Sequence, residues 1–254
     1  TPVSALILKR LNLFRYDCSV LATSTNVFAS RSACLLLLML LVSTIGSGQT
    51  FAKTFLLDGT PAHIEVSQGT DTTKTSDTLV AGRRVIRLGE VAVPTVTWYP
   101  VPAANGYRSA PAVLVLPGGG YQILAEDLEG TEVCAWLNSR GISALLLRYR
   151  VPSAGLHAEP LLDAKKALAL IDSKATEWSV DRGHLGVIGF SAGAHLAMRL
   201  VTSKPAVPLH AALLLYPAYL QDKSDELTTG PIPANAPPFF LVQAEDDPIG
   251  IGNT

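Results

Sequence analysis

Ser191 lies in the pentapeptide Gly189-Phe190-Ser191-Ala192-Gly193, directly after the apolar run Leu185-Gly186-Val187-Ile188 and before Ala194-His195-Leu196-Ala197. Strand, G-x-S-x-G, helix is the pattern of a nucleophile elbow. The turn is so tight that the serine backbone is strained and its Oγ projects alone. Glycine is needed two residues to either side because a Cβ there would crowd the turn. The helix that starts at the elbow aims its first N–H groups at the place where negative charge would develop. A serine held in this way can attack a carbonyl carbon and form a covalent intermediate.

Such an attack generates an oxyanion, which backbone N–H groups stabilise without reorganising. Pro117-Gly118-Gly119-Gly120-Tyr121 follows the apolar strand Ala112-Val113-Leu114-Val115-Leu116 and offers such groups, since a run of glycines lets the backbone come close to a substrate carbonyl. Gly119 and Gly120, together with Ala192 directly after the serine, are the expected donors.

The elements that must position these residues alternate from residue 112 onward. Apolar strands are predicted over 112–116, 143–149, 185–188, 211–216 and 239–243, and β-branched and aromatic residues predict earlier ones over 85–91 and 96–100. Helices are predicted over 129–139 and over the stretch in which Leu161, Ala164, Leu168, Ile171, Ala175 and Trp178 recur at spacings of three and four, with Pro160 in its first turn. Alternation of this kind means βαβ units, a mostly parallel sheet and helices on both faces.

A chain of 254 residues, 48% hydrophobic and with a formal net charge of −1, has the length for one large α/β core and no basic excess for nucleic acid. Lys9, Arg10, Arg15 and Arg31 precede the apolar run Ala33–Val42, and Gly46-Ser47-Gly48 follow. The order of charge, apolar run and small residues is that of a secretory signal peptide. The run is shorter than the ~18 residues of a bilayer span, although an uncleaved anchor is the alternative. Residues 1–48 are thus expected to be an N-terminal extension and signal, 49–84 a polar linker with a strand (Thr70–Asp77 as loop), and 85–254 the catalytic-type domain. The mature protein is expected to be secreted or periplasmic, without stable membrane association. Of the three cysteines, cleavage near Gly48 would leave only Cys134, which the surrounding Val133, Ala135, Trp136 and Leu137 mark as a packing residue.

Pro117-Gly118-Gly119-Gly120-Tyr121, Glu129-Gly130, Ala135-Trp136-Leu137-Asn138, Gly141-Ile142, Tyr149-Arg150, Asp163-Ala164-Lys165-Lys166-Ala167, the elbow with His195-Leu196-Ala197, and Asp246 follow one another in an order that resembles the secreted α/β-hydrolase esterases related to acetyl-xylan and feruloyl esterases. The resemblance covers roughly residues 85–254. It implies the α/β-hydrolase fold, Ser191 as nucleophile, an oxyanion hole of Gly119, Gly120 and Ala192, and an acid after the strand Phe239–Gln243. Asp246 is the expected acid in Asp246-Asp247-Pro248-Ile249-Gly250, with Asp247 the alternative. The expected substrates are acetyl or feruloyl esters, as small molecules or on polysaccharides.

Two departures from the pattern stand out. Ala194 replaces a second glycine after the elbow, and the histidine that should follow the acid in the order serine, acid, histidine is missing, since no histidine follows His210. His63, His157, His184 and His210 all precede the acid, and His195, one helical turn past Ser191, is expected to be structural. The sequence therefore reads as a C-terminally incomplete chain, lacking the last strand and helix and the base, and is expected to be inactive in this form. A peptidase of the prolyl-oligopeptidase kind and a non-catalytic binding protein on the same fold are the alternatives. No metal-ligand spacing or dinucleotide fingerprint is present, so neither metal nor cofactor is expected.

Overall fold

The computed structural model describes residues 52–62, 76–80, 83–101, 109–154, 157–220, 228–244 and 247. The strands in chain order are β1 (Lys53–Leu56), β2 (Ser76–Val80), β3 (Arg83–Val85), β4 (Arg87–Gly89), β5 (Thr95–Tyr99), β6 (Ala110–Leu116), β7 (Ile123–Ala125), β8 (Ser143–Arg148), β9 (Val180–Phe190), β10 (Ala211–Leu215) and β11 (Phe239–Val242). The helices are α1 (Glu132–Ser139), α2 (Ala158–Lys174) and α3 (Ala192–Thr202), and a π-helical turn (Asp127–Thr131) leads into α1.

One seven-stranded sheet runs in the order β1-β5-β8-β6-β9-β10-β11. β1, β5 and β8 pair antiparallel, and every pair from β8 to β11 is parallel. The central strands β8, β6 and β9 carry near-continuous apolar runs because both faces of the sheet are covered there, whereas Phe240, Leu241 and Val242 of β11 are exposed. On one face α2 and α3 pack Ala164, Leu168, Ile171, Leu196 and Leu200 against Leu114, Leu116, Leu145 and Leu147. On the other, Cys134 and Leu137 of α1 lie against Val115, Leu146, Ile188 and Phe190. Cys134 is a free, fully buried thiol, pushed far above its ordinary pKa by that burial. The stripe expected on α2 continues past the helix end: Trp178 stacks on Trp98 of β5 at 5.2 Å and meets Phe55 of β1 at 4.9 Å.

Three local expectations need correction. The strand expected over 85–91 is two strands, because the chain changes partner at Ile86: β3 pairs with β2, and β4 with β7. The loop expected over Thr70–Asp77 ends in strand, since Ser76 and Asp77 open β2, while residues 70–75 lie outside the described ones. The helix expected from Glu129 starts instead at Glu132, because the π-helical turn before it directs Glu129 elsewhere. The signal segment, residues 1–48, also lies outside the described residues. Among those described, no helix is long and apolar enough to cross a membrane.

β6 leads to β8 on one side and is flanked by β9 on the other, so the strand order reverses beside β6. The crevice at the carboxyl ends of the strands there is where α/β sheets place ligands. Leu116 pairs with Gly189, which brings the glycine loop after β6 next to the turn after β9.

Near this end of the sheet, the Arg150 guanidinium forks onto Asp163, with Nη2 to Oδ1 at 2.7 Å and Nε to Oδ2 at 3.0 Å, and the Arg150 N–H also donates to Oδ2 at 3.0 Å. Asp163 is 1% exposed, so Arg150→Met would leave its carboxylate buried without a counter-charge. We expect that variant to lose about 3 kcal/mol of stability, seen as a lower urea midpoint with an unchanged slope.

Candidate active site

Ser191 adopts φ 50° and ψ −117° at the junction of β9 and α3, a conformation rare outside glycine that persists only where its surroundings enforce it. A Cβ on Gly189 would stand 2.2 Å from Gly193 O, and one on Gly193 would stand 2.1 Å from Leu116 O. The two flanking glycines thus mark real backbone contacts between the elbow, the helix start and strand β6. Ser191 N–H donates to Leu215 O at 3.0 Å, and Ser191 O accepts from Ala194 N–H at 3.0 Å and His195 N–H at 3.2 Å. The elbow is tied to β10 on one side and to α3 on the other. Ala194, where the second glycine is replaced, is fully buried.

The glycine loop is pinned peptide by peptide. Pro117 O accepts from Tyr149 Oη at 2.6 Å, and Gly118 N–H donates to Glu129 Oε2 at 2.6 Å. Gly118 O accepts from Ala125 N–H at 3.0 Å, and Gly119 O accepts from Gln122 N–H and Ile123 N–H at 3.0 and 3.1 Å. In a trans peptide the N–H points opposite to the C=O. The N–H groups of Gly119 and Gly120 therefore face away from the β7 turn that holds those carbonyls. Gly119 has φ 132° and Gly120 φ 63°, and a Cβ on Gly119 would fall 2.1 Å from Ile123 O. Gly119, Gly120 and Ser191 share the wall of a cavity of about 450 Å³ with Arg87, Ile123, Glu129, Tyr216 and Asp247. Ala192, the third expected donor, is the first residue of α3, where the N–H has no partner within the helix.

Glu129 and Tyr216 carried no role in the reading of the sequence. Tyr216 Oη donates to Glu129 Oε1 at 2.9 Å. Burial pushes the Glu129 carboxyl up, against the lowering effect of Gly118, Tyr216 and Arg87. The Tyr216 hydroxyl is raised by burial and by the Glu129 charge. The trace in the sequence was Glu129-Gly130 itself, part of the pattern of resemblance but without an assigned task.

Asp247 lines the cavity, and its Oδ2 accepts from Gln243 Nε2 at 2.7 Å. Asp246 lies outside the described residues. His63 does too. His184 pairs with Asp181 at 2.8 Å in the outer half of β9 and rests against His210, far along the strand from Ser191. His157, at the start of α2, stacks on Tyr121 with ring centroids 3.8 Å apart.

His195 is committed on both nitrogens. Thr228 Oγ1 donates to Tyr219 O, so it accepts from His195 Nε2–H at 3.2 Å. Nδ1 is then the acceptor for Tyr121 Oη at 2.9 Å. The ring is buried in the neutral form, and its pKa is lowered to about 3 by burial, with Arg199 and His157 adding to the effect. Among the described residues, no histidine side chain hydrogen-bonds the Ser191 hydroxyl. There is also no group of three or more His, Cys, Asp or Glu placed to hold a metal ion.

Comparison with known proteins agrees with this fold. MGS-M1, an alpha/beta hydrolase enzyme from a Medee basin deep-sea metagenome library, is 30% identical with a TM-score of 0.55, over 65% of this chain and 69% of that one. The chain belongs to the α/β-hydrolase family. The BD-FAE family profile matches residues 101–224. An acetyl ester-xyloside bifunctional hydrolase from Caldicellulosiruptor lactoaceticus is 27% identical with a TM-score of 0.53, over 78% of this chain and 76% of that one. An acetylxylan esterase of Xylanibacter ruminicola is 33% identical over 116 residues, which is 45% of this chain and 24% of that protein. This α/β-hydrolase is thus related to acetyl-xylan esterases, and it spans about a quarter of the length of that curated relative.

His195 gives the hydrolase domain an acid sensitivity. Its pKa of about 3 in the fold lies below the ordinary 6.5, so between those values the unfolded chain binds a proton that the folded one does not, and stability falls as pH falls. His195→Gln should flatten the melting temperature against pH across that window relative to wild type. Parallel curves would contradict the assignment.

Proposed function

We propose that this α/β-hydrolase is a serine carboxylesterase acting on acyl esters. The observation that carries the reading is Ser191, bent into a strained conformation beside a glycine loop whose Gly119 and Gly120 N–H groups are turned out from its supporting turn, with all three in one cavity. Ser191 Oγ attacks the ester carbonyl, and the N–H groups of Gly119, Gly120 and Ala192 receive the oxyanion. Collapse expels the alcohol and leaves an acyl-serine, which water then hydrolyses by the same route. The proton passes through a histidine held by Asp246 or, as the alternative, Asp247. Both nitrogens of His195 are already bonded, and His184 lies toward the far end of β9. We therefore assign the base to neither of these two rings.

The similarity to an acetylxylan esterase and to an acetyl ester-xyloside hydrolase supports acetyl esters on polysaccharide as the first substrate class, with feruloyl esters second. Export directed by the charged and apolar segment before Gly48 would bring the enzyme to such polymers.

In the full-length protein, Ser191→Ala should abolish 4-nitrophenyl acetate hydrolysis, a loss on the order of 10⁶ in turnover. Retained activity would refute the nucleophile. Asp246→Asn should reduce turnover far more than Asp247→Asn, and the reverse ranking would move the acid to Asp247.

A further inference from the structure

Glu129 stands where a negative charge is unwelcome. It shares a cavity wall with Ser191, Gly119 and Gly120, and a carboxylate there opposes the oxyanion that the site is built to receive. Its two oxygens are nevertheless both used. Oε2 takes the Gly118 N–H at 2.6 Å and Oε1 takes the Tyr216 hydroxyl at 2.9 Å. Gly118 opens the glycine loop after β6, and Tyr216 opens the loop after β10, so one side chain joins the segments on either side of β9, the strand that carries Ser191. Little slack exists at this point: a Cβ on Gly118 would lie 2.6 Å from Phe190 O and 2.9 Å from Ser191 Cβ.

We propose that Glu129 is a positioning residue that clamps Gly118 and Tyr216 together and so sets the orientation of the Gly119 and Gly120 N–H groups relative to Ser191. The inference rests on the serine esterase reading of the site. Tyr149 holds the carbonyl of the Pro117–Gly118 peptide and Glu129 holds its N–H, while the next two peptides are held at their carbonyls by backbone partners. The π-helical turn that delays α1 is what delivers it. A charge-assisted bond of 2.6 Å is stronger than a neutral one, which accounts for a carboxylate at a place where its charge alone is a disadvantage.

The test uses the full-length protein and 4-nitrophenyl acetate, with Ser191→Ala as reference. Removing an oxyanion donor outright costs about 10²–10³ in turnover. Glu129→Ala, which only frees such donors, should lower kcat about 10- to 100-fold with KM within about threefold. Affinity for a boronic acid that forms a tetrahedral serine adduct should weaken in parallel with kcat/KM. Glu129→Gln keeps an acceptor for Gly118, and its amide can donate to Tyr216, so kcat should return to within a few-fold of wild type. Tyr216→Phe, which removes one arm of the clamp, should lower kcat several-fold at steady KM.

If Glu129→Ala does not fold, Glu129→Gln and Tyr216→Phe carry the test alone. A folded Glu129→Ala with unchanged kcat would overturn the clamp, provided Ser191→Ala is inactive. Failure of glutamine to rescue would also overturn it, by pointing to proton transfer at Glu129. Activity in Ser191→Ala would overturn the esterase reading and the clamp together.

Discussion

One close backbone approach governs the rest. Gly193 at the start of α3 lies so near Leu116 at the end of β6 that a single methyl group would sit 2.1 Å from the Leu116 carbonyl oxygen. That contact requires β6 and β9 to be neighbours, α3 to begin without a connecting loop, and Ser191 to take a positive φ between them. It also requires the chain after Leu116 to turn away at once, through residues with no side chain to obstruct it. The elbow and the glycine loop are consequences of one steric constraint, which is why they lie together in space though Gly119 and Ser191 are 72 positions apart in the sequence.

Around this fixed point the polar groups divide into two sets. On the cavity side, Glu129 and Tyr216 link the loops that border Ser191. Behind the glycine loop, Tyr121, His195 and Thr228 form a neutral chain of hydrogen bonds in which each hydroxyl and ring nitrogen has a defined direction. Tyr121 and His195 of this second set are buried and neutral, and neutral hydrogen bonds of this kind specify one arrangement without the desolvation cost of an ion pair. The Arg150–Asp163 pair, by contrast, keeps its guanidinium about one-third exposed and anchors α2 to the chain following β8.

The elbow, the glycine loop and the βαβ alternation were legible because each depends on local pattern: glycine at fixed offsets from Ser191, and apolar runs of strand or helix period. Trp178 was legible as a core residue even though it lies beyond the end of its helix, because burial follows the stripe and not the hydrogen-bonding class. What stayed hidden depended on pairing across distance. Nothing near Ile86 announces that its two neighbouring strands have different partners. The task of Glu129 is set by a π-helical turn and by Tyr216, 87 residues away. Tyr149-Arg150 and Asp163 belonged to the pattern of resemblance, and their hydrogen bonds explain why without any part in the chemistry: Tyr149 holds the Pro117 carbonyl and Arg150 compensates Asp163.

The central claim is that Ser191 becomes covalently acylated. The most direct measurement is acid quenching of the full-length protein during turnover of 4-nitrophenyl acetate, followed by peptide mapping by mass spectrometry. An acetyl group on the Ser191 side chain, formed in a burst before steady hydrolysis, is the expected result. Steady hydrolysis with no acetylated species, or acetyl carried productively on another residue, would contradict the account.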